Sequence, residues 1–282
     1  MEVFIDKSFD SKSIPKYNLN LKIGEDFFIA GATKSKQDLH IAIAENGFKS
    51  ELKDGFQIGT FIESLKKCPV KISKKYNQVS ISIANTYFAI VPKALFQKEN
   101  LKSYIELNAK VANIVEYRFQ ILEKEGIVVC FALPKELSDW INQIFPKAKI
   151  THEISVVIQS VLRDFHSLSE SKVVLNIHKG HFDLMFLNKG KLEFVNSFPF
   201  SEKEDLLYFV LFTLEQLNLD PHEIEVFLLG EIKKGSEQHQ LLFQYIKNIH
   251  FGSRNKNIKI ANGLNEIPNH YFYSVFNQPL CV

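Results

Sequence analysis

The chain has 282 residues, a length that typically forms about two domains. Hydrophobic residues make up 45% of it, which excludes a largely disordered chain. The 34 Lys and Arg residues against 32 Asp and Glu give a near-neutral balance, which argues against a dedicated nucleic-acid binder. The aromatic residues are mostly Phe, 25 against 9 Tyr and 1 Trp, and this composition favours cores packed without polar groups.

The first half of the chain predicts strands interspersed with helices, because apolar residues recur first every second position and then every three to four positions. A break at 24–26 is expected to divide the first extended segment, and an Asn46–Gly47 turn is expected to end the next one. Strands are predicted at residues 19–33, 38–45, 48–52, 79–83, 87–91, 117–122, 127–133 and 149–152. Helices are predicted at residues 56–67, 100–111, 135–145 and 154–165.

The second half restarts this pattern after a serine-rich linker at 167–171. Strands are predicted at residues 172–177, 181–187, 191–197, 225–229 and 258–261, and helices at 204–218 and 237–249. Both halves begin with three strands, a helix and a strand, so the pattern predicts a duplicated domain.

The predicted boundaries follow from that repeat. The first domain covers 1–166, with an inserted strand and helix subregion at about 87–122, and the second covers 171–282. The aromatic tail at 271–282 is expected to dock back onto the body. Its Phe residues also mark it as a place where a partner could bind.

The sequence also predicts a cytoplasmic protein without membrane insertion. Cys68, Cys130 and Cys281 are odd in number and lack the spacing of a metal or redox motif, so we expect reduced thiols. The first seven residues carry acids and do not read as a secretory signal. The densest apolar stretch, 206–214, is about half as long as a membrane span.

Three segments carry a resemblance to a known superfamily: residues 79–92 (VSISIANTYFAIVP), 127–136 (IVVCFALPKE) and 172–184 (KVVLNIHKGHFDL). With the order of elements around them, they resemble the actin-like ATPase superfamily, and in detail the PilM-like and GspL-like adapters of pilus and secretion machines. The chain looks like a member of an uncharacterised bacterial family of that superfamily. The resemblance implies an α/β fold of two ribonuclease-H-like domains, with mixed β-sheets flanked by helices.

Members of that superfamily bind nucleotide phosphates in one hairpin turn per domain, with glycine for close backbone approach and an Asp that holds Mg²⁺ through water. The first turn has two possible positions here. If it lies at Gly24, Lys22 occupies the place of the Asp. If it lies at Gly31, Ile29 occupies that place, and Thr33, followed by Lys34, comes one residue late. Neither alignment supplies the acid.

The second turn and the adenosine motif are also degraded. In the second turn, Asn176 replaces the acid, and His178, Lys179 and Gly180 follow it, so one glycine remains. The adenosine motif usually has two adjacent glycines after a strand. Here Gly230 is followed by Glu231, whose carboxylate would crowd and repel a nucleotide.

We therefore predict a non-catalytic binding or scaffold protein that has an unidentified protein partner and needs no cofactor. The alternative is an ATP-binding protein or weak ATPase that uses Mg-ATP in the cleft between the domains. A third possibility is a different anion bound near Lys34, His178 and Lys179. Nuclease activity is less favoured than ATPase activity, because the first strands lack the converging carboxylates that two metal ions need.

The pair His178 and His181 has the spacing of two metal ligands. The nearest third ligand is Asp183, which alternation places on the same strand face as His181. Because a zinc site needs three or four ligands, the pattern favours two solvated turn histidines and no metal.

Overall fold

The structure is a computed structural model that describes residues 2–48, 56–107, 109, 111, 114–167 and 169–281. The strands in the first part of the chain are β1 (Glu2–Ile5), β2 (Tyr17–Ile23), β3 (Phe27–Lys34), β4 (Leu39–Gly47), β5 (Gln78–Ile83), β6 (Phe88–Pro92), β7 (Val115–Leu122), β8 (Ile127–Pro134) and β9 (Lys149–His152). The strands that follow are β10 (Lys172–Ile177), β11 (His181–Asn188), β12 (Lys191–Pro199), β13 (Glu225–Gly230), β14 (Asn248–Phe251) and β15 (Lys259–Ile260). The helices are α1 (Ile58–Lys66), α2 (Leu101–Glu106), α3 (Lys135–Ile144), α4 (Glu153–Asp164), α5 (Lys203–Gln216), α6 (Glu237–Tyr245) and α7 (Tyr273–Asn277).

The chain divides into two compact units. The first contains Met1–Val157, Asn257–Ile267 and Ser274–Val282, and the second contains Ile158–Lys256 and Pro268–Tyr273. These units differ from the predicted domains, because two C-terminal segments join the first unit instead of the second. The reading of the two halves as separate ribonuclease-H-like domains with a boundary at 167–170 stays a prediction.

The first unit is built on a mixed sheet with strand order β1-β4-β3-β2-β5-β9. Strands β2, β3 and β4 form an antiparallel ribbon, and β5 and β9 extend it in parallel from β2. The alternating apolar side chains of the ribbon are buried, including Leu19, Leu21, Ile41 and Ile43. The turn between β2 and β3 lies at one end of this antiparallel ribbon. It is one of the two positions at which the sequence predicts a phosphate site.

A smaller antiparallel sheet, β6-β8-β7, also belongs to the first unit. Gly126 has a φ of +66° in the turn between β7 and β8, a conformation that favours glycine. Helix α2 packs on this sheet around a core that includes Ala89, Ile105 and Val128. This sheet includes β8, which lies beyond the inserted subregion of about 87–122, so the bounds of that subregion stay a prediction.

The second unit has a five-stranded mixed sheet in the order β12-β11-β10-β13-β14. Strands β10, β11 and β12 are antiparallel, whereas β13 and β14 continue from β10 in parallel. Helices α5 and α6 contribute Leu206, Val210 and Leu242 to a core with Leu175 and Phe182. The meandering ribbon followed by parallel strands repeats the arrangement in the first unit.

Two sequence predictions are wrong in detail, and a third, the strand at 258–261, is confirmed with a partner strand that was not predicted. Strand β4 continues through Gly47, because Asn46 pairs with Phe28 and its side-chain amide donates to Ser64 Oγ at 2.8 Å, so the expected Asn46–Gly47 turn does not form. The predicted helix 237–249 ends at Tyr245, and β14 follows it in parallel with β13. Strand β15 forms within the predicted 258–261 segment but pairs with β4 of the first unit.

One predicted strand falls largely outside the described residues, and one observed strand was not predicted. The predicted strand 48–52 lies outside the described residues except for Phe48. Strand β1, which the sequence analysis missed, pairs with the outer edge of β4. Its Val3 and Ile5 are more than a third exposed, so the segment shows little of the apolar alternation by which buried strands are found.

The aromatic tail docks as predicted, and it packs inside the protein. Phe272, Tyr273 and Phe276 are buried, and the ring of Phe276 lies 5.0 Å from the ring of His40 within the first unit. Of the two roles expected for the Phe residues of the tail, docking or partner contact, Phe272 and Phe276 show docking, because their side chains are buried.

Two further findings concern the cysteines and the apolar helices. Cys68, Cys130 and Cys281 are free cysteines, and burial raises the pKa of the Cys68 and Cys130 thiols to about 11. These two thiols therefore stay protonated and unreactive at neutral pH. Across the part of the chain that the structure describes, no helix is both long and apolar enough to cross a membrane.

Candidate functional site

The turn between β2 and β3 contains Gly24, and its backbone N–H donates to the carbonyl oxygen of Phe27 at 2.9 Å. A Cβ on Gly24 would lie only 2.2 Å from Cε1 of the Phe27 ring. The other candidate glycine, Gly31, lies inside β3, where a Cβ would lie 3.1 Å from Cγ1 of Val275. Of the two positions considered for the first phosphate turn, only the one at Gly24 is a turn in the structure.

Lys22, which the alignment on Gly24 puts at the position of the superfamily's acid, forms a buried ion pair. Its Nζ lies 2.7 Å from Oε1 of Glu153, and the two side chains are 5% and 4% exposed. The Ser274 hydroxyl donates to the same carboxylate oxygen at 2.6 Å, and the Lys22 ammonium lies 5.3 Å from the centre of the Phe27 ring. A cation that is neutralised by its own carboxylate is not a ligand for Mg²⁺, so the Lys22 side chain does not supply the carboxylate oxygen that the resemblance expects at this position.

Thr33 and Lys34 lie at the far end of β3 from the Gly24 turn. The Thr33 hydroxyl is buried and accepts a hydrogen bond from the Asn20 amide at 3.1 Å, with His40 Nδ1 at 3.3 Å. Lys34 is half-buried, and it pairs with Tyr17 at the end of the β2–β3 ladder. The structure therefore separates Gly31, Thr33 and Lys34 from the turn and uses the Thr33 hydroxyl inside the sheet.

In the second unit, the turn between β10 and β11 forms part of the wall of a cavity. The His178 N–H donates to the carbonyl oxygen of His181 at 2.9 Å, and Gly180 adopts a φ of +85°. The cavity has a volume of about 500 Å³, and its lining includes His178, Lys179, Gly180 and Glu231. The structure thus brings the predicted residues of the second turn and of the adenosine motif together.

Gly230 is required by a close approach of two strands. It has a φ of +82°, and a Cβ there would lie 2.1 Å from the carbonyl oxygen of Ile177. That carbonyl accepts the Glu231 N–H at 2.7 Å, and the Gly230 N–H donates to the His270 carbonyl oxygen at 2.9 Å. The glycine therefore has a structural role, while Glu231 adds a carboxylate to the wall of the cavity.

The expectation of two solvated turn histidines is wrong. His178 is 2% exposed and Asp183 is 4% exposed, whereas His181 is half-buried and its ring stacks on that of His178 at 4.4 Å. Antiparallel pairing of β10 and β11 sets Asn176 opposite Asp183, and the turn brings His178 over the same pair. That register follows from a turn at 178–180, so the sequence contained a signal for this cluster.

The cluster is polar, and its carboxylate is ionised. Asp183 Oδ2 lies 3.0 Å from His178 Nε2 and 3.1 Å from the Asn176 amide, and the Ser197 hydroxyl donates to Oδ1 at 2.9 Å. Burial raises the pKa of Asp183, but hydrogen bonding and charge from His178, the charge of His181 and the Asn176 bond together hold it well below its usual range. A negative charge is therefore buried beside two imidazoles.

The chain matches the family described as "Protein of unknown function (DUF3822)" over residues 6–249. It belongs to the DUF3822 family. No curated protein matches the sequence.

Two solved structures are similar to this DUF3822 protein in fold. A Bacteroides thetaiotaomicron protein with an actin-like ATPase fold and unknown function is 20% identical, has a TM-score of 0.76, and matches over 97% of this chain and 98% of that one. A chain of the PilM–PilN type IV pilus biogenesis complex is 13% identical, has a TM-score of 0.65, and matches over 94% of this chain and 98% of that one. These similarities confirm the actin-like ATPase fold that the element order predicts.

Replacing Lys22 by Met in this DUF3822 protein should lower the free energy of unfolding by about 3 to 5 kcal/mol, because Glu153 would keep a buried charge without its partner. Urea unfolding followed by circular dichroism measures the loss. Lys66→Met is the matched control, since Lys66 pairs with Glu63 at 2.6 Å with both side chains about two-thirds exposed, and such pairs contribute about 0 to 1 kcal/mol. Equal losses in the two variants would contradict the importance of the buried pair.

Replacing Gly230 by Ala should destabilise the protein more than Gly235→Ala, although the φ angles are +82° and +81°. Left-handed strain costs about 1 to 2 kcal/mol at either site. Gly235 has open space around it, whereas a Cβ at Gly230 overlaps the Ile177 carbonyl, which adds about 1 to 3 kcal/mol. Urea denaturation of the two variants measures the difference, and indistinguishable midpoints would show that the overlap is relieved without cost.

Proposed function

We propose that this protein is a non-catalytic actin-like scaffold that binds another protein in the cytoplasm. The observation that carries the proposal is the ion pair between Lys22 and Glu153, both 5% exposed or less. It puts a neutralised cation at the place where the superfamily resemblance expects a metal-holding acid. An ATPase needs Mg²⁺ bridged to the phosphates, and a lysine at this place cannot help to hold it.

The second unit supports the same proposal. Asn176 takes the place of the other metal-holding acid, and an amide does not neutralise Mg²⁺ as a carboxylate does. Glu231 lines the cavity beside the second turn, and its charge opposes the entry of a phosphate. The structurally similar PilM chain was solved in a complex with PilN, which is an example of this fold in a protein assembly.

One observation favours the alternative of an ATP-binding protein or weak ATPase. The second unit retains Lys179 and a left-handed Gly180 on the wall of a cavity of about 500 Å³. Backbone N–H groups in such a turn can bind an anion. A nucleotide that binds there would still lack a carboxylate for its metal at position 176.

The two functions differ in their response to Mg-ATP. The scaffold proposal predicts no change in the thermal unfolding midpoint at millimolar Mg-ATP, because neither of the two turns considered above supplies the acid that would hold the metal beside the phosphates. A ligand at a hundred times its Kd would stabilise the protein by about 2.7 kcal/mol. Differential scanning fluorimetry with Mg²⁺ and triphosphate as controls measures the shift, and a clear rise specific to Mg-ATP would favour the alternative.

The first unit offers an apolar cavity for a partner segment. It lies beside the Gly24 turn and has a volume of about 230 Å³. Its lining is mostly apolar and includes Ile23, Ile83, Ile114 and Leu137. Ile114 is 73% exposed, so apolar surface continues from the cavity to the outside. Concave apolar surface of this kind is where binding partners insert side chains.

A photo-crosslinking residue at position 114 should therefore form a discrete adduct with one partner protein in the cells that make the chain. Mass spectrometry of the adduct identifies the partner. The matched control is the same residue at position 95, because Leu95 is 68% exposed in the same unit but does not line the cavity. Absence of an adduct at 114, or the same adducts at both positions, would argue against this cavity as the binding surface.

A further inference from the structure

Three side-chain atoms in the second unit form a closed triangle of short contacts. Asn176 Nδ2 lies 2.8 Å from His178 Nε2, His178 Nε2 lies 3.0 Å from Asp183 Oδ2, and Asp183 Oδ2 lies 3.1 Å from Asn176 Nδ2. The three residues are 2 to 4% exposed. Each side of the triangle needs one donor and one acceptor if it is to be a hydrogen bond.

In the deprotonated form, in which a carboxylate holds a metal ion, Asp183 leaves no arrangement of protons that satisfies all three sides. If His178 Nε2 carries a proton, it donates to Asp183 but meets the N–H of Asn176 as a second donor. If Nε2 carries no proton, it accepts a hydrogen bond from the Asn176 amide, but it then faces the carboxylate oxygen, which is also an acceptor. If the Asn176 amide is turned round, its oxygen faces the carboxylate oxygen instead. One side of the triangle is always repulsive, and buried polar groups in native proteins are rarely left so.

A cation resolves this conflict. The oxygen and nitrogen of an Asn amide are assigned from their surroundings, so Oδ1 of Asn176 can occupy the inner position. Asn176 Oδ1, a neutral His178 Nε2 and Asp183 Oδ2 then all present lone pairs to one point. Ligands that are neighbours on a six-coordinate ion, each about 2.1 Å from it, are about 3.0 Å apart. The observed sides of 2.8, 3.0 and 3.1 Å have that spacing.

We propose that Asn176, His178 and Asp183 form one face of a binding site for a divalent first-row transition ion, with His181 as a further ligand. The ring nitrogens of His178 and His181 and a carboxylate oxygen of Asp183 lie within 4.8 Å of one another. Imidazole ligands favour such ions over Mg²⁺, whose preferred ligands are oxygens. The site therefore differs in metal preference from the Mg²⁺ that a nucleotide would bring.

The surroundings suit an ion that enters from solvent. The Ser197 hydroxyl donates to Asp183 Oδ1 at 2.9 Å, whereas the other carboxylate oxygen, Oδ2, is the one in the triangle. Bonds of this kind orient metal ligands. His178 also lines the cavity of about 500 Å³, which provides a route for the ion and room for water ligands. This proposal replaces the expectation from the sequence that the two histidines hold no metal.

Calorimetric titration of the chelator-treated full chain with Zn²⁺, and separately with Mg²⁺, tests the site. We expect one Zn²⁺ per chain with a micromolar or tighter Kd, and at least about tenfold weaker binding of Mg²⁺. Asp183→Asn should weaken Zn²⁺ binding by more than about 100-fold, and Ser197→Ala by about 10 to 100-fold. Binding should also weaken as the pH falls, because protons compete with the ion for the imidazole nitrogens.

The control is His250→Gln. His250 Nε2 lies 2.7 Å from Glu225 Oε2 in the same unit, with both side chains more than a third exposed, so it resembles the cluster without its burial. This variant should bind Zn²⁺ like the unaltered protein. If circular dichroism shows that Asp183→Asn does not fold, Ser197→Ala and His178→Gln decide the outcome. Absence of saturable one-to-one Zn²⁺ binding, or unchanged affinity in those variants, would overturn the proposal.

Discussion

The buried ion pair between Lys22 and Glu153 is the interaction on which the first unit depends. Removing two charges from water costs several kcal/mol per ion, and the cost is recovered only while the ions stay together. The pair ties the end of β2 to the start of α4, and the Ser274 hydroxyl of α7 binds the same carboxylate. Segments from the beginning, middle and end of the chain are thereby joined at one buried carboxylate. The turn that would bind phosphate in an ATPase is thus fixed by charges that are already paired.

The second unit differs from the pattern that the resemblance implies at other residues. Its turn keeps the left-handed Gly180, and its β13 keeps Gly230 because a side chain there would overlap the Ile177 carbonyl. Gly230 is therefore explained by packing and Gly180 by its left-handed backbone, so the presence of these glycines says little about nucleotides. The resemblance to actin-like ATPases implies a metal-holding acid in each unit, and the alignment on Gly24 and on the second turn puts Lys22 and Asn176 at those two positions.

The sequence predicts the parts of this fold that local patterns determine. The β2–β3 and β7–β8 hairpins are found because alternation and turn residues lie together in the chain. Asn46 and Gly47 mislead, since a tertiary bond from Asn46 to Ser64 holds them in extended conformation. The pairing of β15 with β4 and the burial of His178 depend on contacts between distant or folded-back segments. Such contacts leave no periodic signal, although the register of the β10–β11 hairpin does predict the meeting of Asn176 and Asp183.

A cation in the second unit would give Glu231 a consistent role. Neutral Asn and His ligands with one carboxylate leave a divalent ion with a net positive charge of about one. Glu231 lines the same cavity as His178, and a carboxylate that repels phosphate is attracted to such an ion. The residue that argues against a nucleotide therefore argues in favour of a metal. An ion bound at the base of the β10–β11 turn would also link the two strands at their closed end and stiffen a cavity wall, which is a structural task that a scaffold can use without catalysis.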